Sequence, residues 1–247
     1  MSQSKISRIE TGKILPSVVD VERILKALQV PPAVAGDLLE LARAANIEYE
    51  SWRAYASIGT WRRQLELKAL VESSDVSRHF LPAIPTGLLQ IPDYIRELFA
   101  HVMPSEPAHD LKMIVRARLD RQKGLEDESK KFIFLMTEQA VRWRAATPDV
   151  MYQQIVHMAR MSLRPNIDLA VIPLSSQVGD APLNIFTIYD DRLVIAELFS
   201  GAVSLREPQD VAYHLELFEF FLGHALRGDD ATAFLRTVAD EFMQSRD

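Results

Sequence analysis

The stretch that decides the fold is Phe132-Ile133-Phe134-Leu135-Met136-Thr137-Glu138. It is too apolar to be exposed on both faces, so it predicts a strand, which runs into a helix holding Ala140, Val141 and Trp143. A second strand is predicted at 167–172, Ile-Asp-Leu-Ala-Val-Ile, after a helix at about 149–163. The middle of the chain is therefore predicted to mix strands and helices.

The segments on either side of this centre extend the same pattern. Downstream, the β-rich runs 184–189 and 192–199 flank Asp190-Asp191, which predicts a two-residue hairpin turn. Helices at about 208–226 and 229–244 close the chain, and upstream a helix is predicted at about 60–73. The body is therefore expected to be α+β, with a small mixed sheet covered by helices.

The first third is predicted to be helical. Ser2 is suited to cap a short helix over 3–10, and Gly12 stands where helices commonly end in a left-handed residue. A second helix follows Pro16 and stops before Pro31, because proline breaks the helical hydrogen-bond pattern. The third helix is predicted to turn its leucines inward: Leu38, Leu39 and Leu41.

The composition limits the possible functions. The chain has 247 residues, 48% apolar and 25% charged, which excludes extended disorder. The net charge is −6, but residues 1–30 carry +2 and the rest −8. A nucleic-acid site is therefore expected only as a local patch. We divide the chain into a helical head, residues 1–47, and an α+β body, residues 48–247.

Several kinds of reactive centre are not expected. The chain has no Cys, which excludes disulfides, thiolate zinc sites and a Cys nucleophile. The usual phosphate, dinucleotide, zinc-hydrolase and nucleophile-elbow motifs do not occur, and the six His are scattered. We therefore expect no enzyme activity, no cofactor and no metal site. No apolar run approaches the roughly 20 residues of a membrane span, so we expect a cytoplasmic protein without a membrane partner.

The strongest functional pattern lies in the predicted helix 3–10. Ile6 and Ile9 fall on one face of such a helix, while Ser4, Ser7 and Arg8 fall on the opposite face. A short helix of this kind suits the major groove, where polar side chains read base edges and cations contact phosphates. On spacing alone, an ordinary solvated face is at least as consistent. The candidate DNA-binding residues are Ser2, Gln3, Ser4, Lys5, Ser7, Arg8 and Lys13, with Lys5 and Lys13 as phosphate contacts.

A resemblance favours DNA. The run Ser2-Gln3-Ser4-Lys5-Ile6-Ser7-Arg8-Ile9-Glu10-Thr11-Gly12-Lys13, followed by Pro16, is similar to the recognition helix and following turn of XRE-type helix-turn-helix regulators. The resemblance implies a partial lambda-repressor-like head in a mainly α chain. In that family two helices precede this motif, and we expect them to be absent here. Double-stranded promoter DNA is accordingly the expected partner of the full-length protein, and a homodimer the expected state.

The body carries a second resemblance. The run 80–94, which contains Pro85-Thr86-Gly87-Leu88-Leu89-Gln90 and ends at Tyr94, resembles a signature of the uncharacterised C-terminal domain in actinobacterial, antitoxin-like XRE regulators. The resemblance implies a sequence-specific transcriptional regulator whose body dimerises and senses a small-molecule effector or a toxin-like protein partner. The alternative is an interaction module that does not bind DNA and carries a vestigial head.

Two carboxylates are the candidate polar groups of the body. Strand alternation puts Glu138 with the phenylalanines of its own strand and Glu197 with Leu193 and Ile195, so both are expected to face inward. Arg118 or Arg121, on the preceding helix, is expected to pair with them. Such a cluster is either a buried structural ion pair or a cleft for a ligand or partner peptide.

Overall fold

The computed structural model describes residues 1–53, 61–100 and 111–245. The head consists of three helices: α1 (Gln3–Glu10), α2 (Val18–Ala27) and α3 (Pro32–Asn46). α1 begins after Ser2, as predicted. α2 begins with a capping box, in which the Ser17 hydroxyl accepts from the Asp20 amide and the Asp20 carboxylate accepts from the Ser17 amide.

The body is built on a mixed sheet, which has seven strands within the described ranges. They are β1 (Ile47–Ser51), β2 (Val76–Leu81), β3 (Lys131–Thr137), β4 (Ile167–Ile172), β5 (Ile185–Tyr189), β6 (Leu193–Leu198) and β7 (Gly201–Leu205). Their order across the sheet is β1-β7-β6-β5-β2-β3-β4. β2, β3 and β4 run parallel, and the other neighbours pair antiparallel.

Helices cover both faces of this sheet. They are α4 (Trp61–Glu72), α5 (Pro92–Leu98), α6 (Leu111–Gln122), α7 (Glu138–Arg142), α8 (Pro148–Met161), α9 (Pro208–Leu222) and α10 (Gly228–Gln244). On one face, Phe132 and Phe134 of β3 share a core with side chains of α8 and α10. On the other face, Leu135 packs in a second core with Phe218 and Phe221 of α9. From Phe132 to Met136 β3 is apolar, since both of its faces are buried, and this layered arrangement confirms the α+β prediction.

The sheet is larger than the small sheet that we predicted. The sequence pattern missed β1, β2 and β7 for different reasons. β2 contains the buried polar residues Ser77 and His79, which weaken its apolar signal. β7 is only five residues long, and its Gly-Ala-Val-Ser-Leu sequence has few bulky side chains. β1 follows α3 directly and pairs with β7, so the predicted division between residues 47 and 48 falls inside a strand of the body's sheet.

The prediction of inward-facing leucines in α3 is wrong for two of the three. Leu38 is 38% exposed and Leu41 65% exposed, whereas Leu39 is half-buried. Leu28, at the end of α2, is 69% exposed. Three short helices have too little mutual surface to cover every apolar side chain, so the head shows apolar surface within the described residues.

The predicted hairpin exists with a different turn. Tyr189 pairs with Leu193, so three residues, 190–192, connect β5 and β6. Asp190 adopts a φ of 54°, and its carboxylate accepts hydrogen bonds from the amides of Asp75 and Val76. The side chain of Asp190 therefore ties the hairpin to the start of β2, a contact that local turn statistics do not include.

Candidate nucleic-acid interface and ligand cleft

The predicted DNA-reading side chains lie on the surface of the head. Six of them are exposed in the structure: Ser2, Gln3, Ser4, Ser7, Arg8 and Lys13. α1 ends as predicted, because Gly12 takes a φ of 67° and the Lys13 amide donates to the carbonyl of Arg8. The backbone of Lys13, three residues beyond the end of α1, is thereby joined to that of Arg8. This arrangement suits contact with a nucleic-acid backbone.

Lys5 has a different environment from the other six. Its ammonium lies 2.7 Å from one carboxylate oxygen of Asp20 and 2.8 Å from the other. Burial by itself would raise the pKa of Asp20, but the hydrogen bonds from Lys5 and Ser17 outweigh it and hold that pKa below its usual value. Lys5 therefore joins α1 to α2 in this structure, whereas the sequence pattern predicted that it would contact a DNA phosphate.

The head is also fastened to the body. The Val18 amide, at the start of α2, donates to the Glu207 carboxylate over 2.9 Å. At the end of α3, the carbonyl of buried Asn46 accepts from the Arg206 amide, also over 2.9 Å. Both contacts come from the two residues that follow β7. The body therefore holds the head at the first turn of α2 and the last turn of α3.

The second candidate site is a cleft over the sheet, which we call the arginine cleft. It is a cavity of 110 Å³ whose polar lining includes Arg118 and Arg121 of α6, His79 of β2, Gln90, Tyr189 of β5 and Glu197 of β6. The loop that carries Gln90 is fixed by buried Gln154, which donates to the Leu89 carbonyl and accepts from the Ile91 amide.

The two arginines of the cleft differ in their contacts. Arg118 donates from Nη1 to the Gln90 side chain, and its guanidinium lies 4.7 Å from the centre of the Phe99 ring. Arg121 is 7% exposed and makes no hydrogen bond or ion pair with any residue in the described part of the chain. Burial, helped by the charge of neighbouring Arg121, lowers the pKa of Arg118 to about 10. Burial likewise lowers the pKa of Arg121.

His79 forms the floor of the cleft beside them. Its Nε2 lies 3.2 Å from the Ser77 hydroxyl and its Nδ1 lies 3.1 Å from the Thr187 hydroxyl. Burial, helped by the charge of Arg121, lowers the pKa of His79 to about 3, so the ring is neutral at pH 7. His79 was not among the residues predicted from the sequence. The sequence hint of a buried polar group here was a histidine next to the apolar residues Phe80 and Leu81.

Two comparisons with protein families bear on these sites. Residues 64–237 match a domain of unknown function, DUF5753. The chain belongs to this family. Residues 1–50 match a helix-turn-helix domain, which supports a DNA-binding regulator. A comparison with curated proteins gave no match.

Solved structures give distant similarities to this DUF5753 protein. NucT from Helicobacter pylori is 9% identical, with a TM-score of 0.44 over 73% of this chain and 97% of that one. Nuc from Salmonella typhimurium, a phospholipase D family member, is 11% identical, with a TM-score of 0.39 over 67% and 90%. TrmBL2, an archaeal chromatin protein, is 15% identical, with a TM-score of 0.36 over 83% and 65%.

The predicted position of Glu138 is wrong. β3 ends at Thr137, whose hydroxyl caps α7, so Glu138 begins that helix and does not continue the strand. Its carboxylate pairs with Arg142 at 2.5 Å and accepts from the Leu174 amide at 2.8 Å, and neither Arg118 nor Arg121 contacts it. The side chain of Glu138 is 13% exposed, as expected for an inward-facing carboxylate, but its ion-pair partner is Arg142 and the predicted pairing with Arg118 or Arg121 is wrong. Glu138 therefore has a structural role outside the cleft.

Glu197 lies on the face of β6 that we predicted, but it is exposed at the rim of the cleft. It pairs across the sheet with Ile185, and its charge acts on both Arg118 and Arg121. Among the described residues it forms no ion pair within 4.0 Å, so the predicted buried ion pair is wrong. Three of the four predicted cleft residues of this DUF5753 protein do come together: Arg118, Arg121 and Glu197.

The structure gives two further findings. Within the described residues, no three metal-ligating side chains come close enough to hold an ion. In the same part of the chain, no helix has both the length and the apolarity needed to cross a bilayer.

Proposed function

We propose that this protein is a sequence-specific, cytoplasmic transcriptional regulator that acts as a homodimer, with the head reading promoter DNA and the body sensing an effector. The observation that carries the proposal is α1, with its exposed Ser4, Ser7 and Arg8 on one side and Lys13 after a glycine-terminated end. In this proposal the body binds an effector without transforming it.

A second candidate is a protein-interaction module, antitoxin-like, that does not bind DNA. The observation in its favour is the exposed apolar surface of the head, where Leu28 and Leu41 are more than half exposed. Exposed apolar patches on folded domains often mark protein interfaces. The two candidates differ in whether the head discriminates between DNA sequences.

The test is a fluorescence titration of a duplex selected from a random pool and of its scrambled form, each at two salt concentrations. Two proteins are compared. One is the 247-residue chain, and the other is the same chain extended at its N-terminus by the residues that any in-frame codons upstream of Met1 encode. Arg8→Ala is expected to cost about 1–3 kcal/mol on the selected duplex and to relax specificity at one base pair. Lys13→Ala is expected to weaken both duplexes alike and to lower the salt slope by about one.

Arg236→Ala is the matched control, because Arg236 is an exposed arginine of α10 in the body. It is expected to leave both titrations unchanged. If neither version of the chain distinguishes the selected from the scrambled duplex, the regulator proposal fails and the interaction module is favoured. Light scattering of the same samples measures their molar mass in solution, and a mass of two chains is expected for the proposed homodimer.

A further inference from the structure

We propose that the arginine cleft binds a small oxyanion, a carboxylate or phosphate group of a low-molecular-weight effector, through Arg121 and Arg118. Binding by the cleft is independent of the head, whereas the regulatory meaning of that binding rests on the proposed function. The inference starts from Arg121, which is 7% exposed, lines the cavity and has no partner among the described residues.

A buried guanidinium without an acceptor is costly. Charged groups lose their hydration on burial, and folded proteins normally compensate by an ion pair or by several hydrogen bonds. Here the Nε atoms of both Arg118 and Arg121 lack an acceptor, and Arg118 has only the neutral side chain of Gln90. The cost is understandable if an anion supplied from solution completes the hydrogen bonding, because the guanidinium matches the geometry of carboxylate and phosphate.

The charged side chains that line the cleft leave an excess of one positive charge. Two guanidinium groups face a single carboxylate, that of Glu197, and it lies beyond ion-pair distance. A third guanidinium nearby, that of Arg63, already pairs with Glu50 and Glu66. His79 stays neutral at pH 7. The cleft is therefore electrostatically suited to an anion and unsuited to a cation.

The shape of the cleft sets the size of the ligand. A volume of 110 Å³ is well above that of one bound water and holds a group the size of a phosphate or a short carboxylate. Gly87 stands against the arginines, and a Cβ built there would lie 2.6 Å from Nη2 of Arg121. A side chain at position 87 would therefore crowd the Arg121 guanidinium, and the loop backbone lies close to it.

A larger cavity is less suitable. It measures 880 Å³ and lies beside α4 and α6. Its basic side chains are exposed: Arg96, Lys112, Arg116 and Lys123. Solvated cations bind anions weakly, because each already has water as a partner. The buried arginines of the smaller cleft are the better anion site.

The test is calorimetric titration of the chain with sodium phosphate and, separately, with sodium succinate, at constant ionic strength and pH 7. The probe with the correct chemistry is expected to bind saturably with one site per chain, and comparison of the two probes distinguishes phosphate from carboxylate. Arg121→Gln is expected to weaken binding at least about tenfold, because it removes a charged hydrogen-bond donor. Glu197→Gln is expected to strengthen binding, because it removes the one carboxylate that competes for the arginines.

Arg116→Gln is the control, since Arg116 is an exposed arginine on the same helix; its binding is expected to equal that of the unaltered chain. Arg121→Met, in buffer without either probe, is expected to raise the thermal unfolding midpoint, because it replaces an unpaired buried charge with an apolar group. Saturable binding with opposite effects of the two cleft variants supports the proposal. No saturable binding of either probe, or a lower unfolding midpoint for Arg121→Met, overturns it.

Failure of this inference can be told from failure of the proposed function. Anion titration is done without DNA, and Arg8→Ala is expected to bind the anion normally because it alters only the head. Sequence-specific DNA binding without anion binding removes the cleft proposal alone. Anion binding without sequence-specific DNA binding removes the regulator proposal and leaves the cleft as an anion site.

Discussion

At the scale of single residues, burial of polar groups explains more of this molecule than any motif does. Arg121 and His79 both lie in the interior. Burial lowers the pKa of each side chain, because it disfavours the charged form. Both residues were hard to interpret from the sequence. A histidine or arginine in a mixed segment gives no sign of whether a sheet and a helix will close over it.

The pH dependence of stability follows from His79. Its pKa in the folded chain, about 3, lies below the value of about 6.5 in an unfolded chain. Between these two pKa values the unfolded chain takes up a proton that the folded chain does not. The free energy of unfolding is therefore largest above about pH 6.5 and decreases as the pH falls towards about 3. The slope is at most about 1.4 kcal/mol per pH unit. In the His79→Gln variant, the free energy of unfolding measured with urea is expected to lose this contribution to its pH dependence. His224→Gln, outside the cleft, is the control, and an equal change in both variants contradicts the assignment.

At the scale of elements, regular patterns were predictable and partnerships were not. The strands at 132–138 and 167–172 and the last two helices lie close to where the apolar pattern put them, because both faces of these strands and one face of each helix are buried. β1 and β7 were missed because an edge strand and a short strand owe their conformation to each other. Glu138 was misplaced for a related reason: Thr137 caps a new helix, which strand alternation does not anticipate.

The same limit applies to α1, where the sequence assigned Lys5 to a phosphate and the structure pairs it with Asp20. A lysine that is already paired releases fewer counterions from DNA than a free one. Lys5→Ala is therefore expected to change the salt slope of DNA binding much less than Lys13→Ala does. The measurement is the titration at two salt concentrations described above. Equal slope changes for the two variants show that Lys5 leaves Asp20 when DNA binds.

At the scale of the whole molecule, one short segment links the two candidate sites. Glu197 of β6 pairs with Ala202 of β7, and the chain leaving β7 provides the contacts of Arg206 and Glu207 with the head. An anion bound to the arginines changes the electric field at Glu197 of β6. Strand β7 follows β6 in the chain, and the two residues after β7 contact α2 and α3 of the head. If the anion alters DNA affinity, reciprocal coupling requires DNA to alter anion affinity by the same factor, typically about 5- to 150-fold.

Glu207→Ala tests this route because it removes the acceptor at the start of α2. The loss of one hydrogen bond to a charged acceptor costs about 1.5–3 kcal/mol, so the chain is expected to stay folded while the head is held less firmly. Anion affinity measured without DNA is expected to be unchanged, and the effect of the anion on DNA affinity is expected to shrink. Glu216→Ala, at an exposed glutamate of α9, is the matched control and keeps the full effect. An undiminished effect in Glu207→Ala means that the sites communicate through another contact, such as the one between Arg206 and Asn46, because two sites can be coupled only through elements that both of them bias.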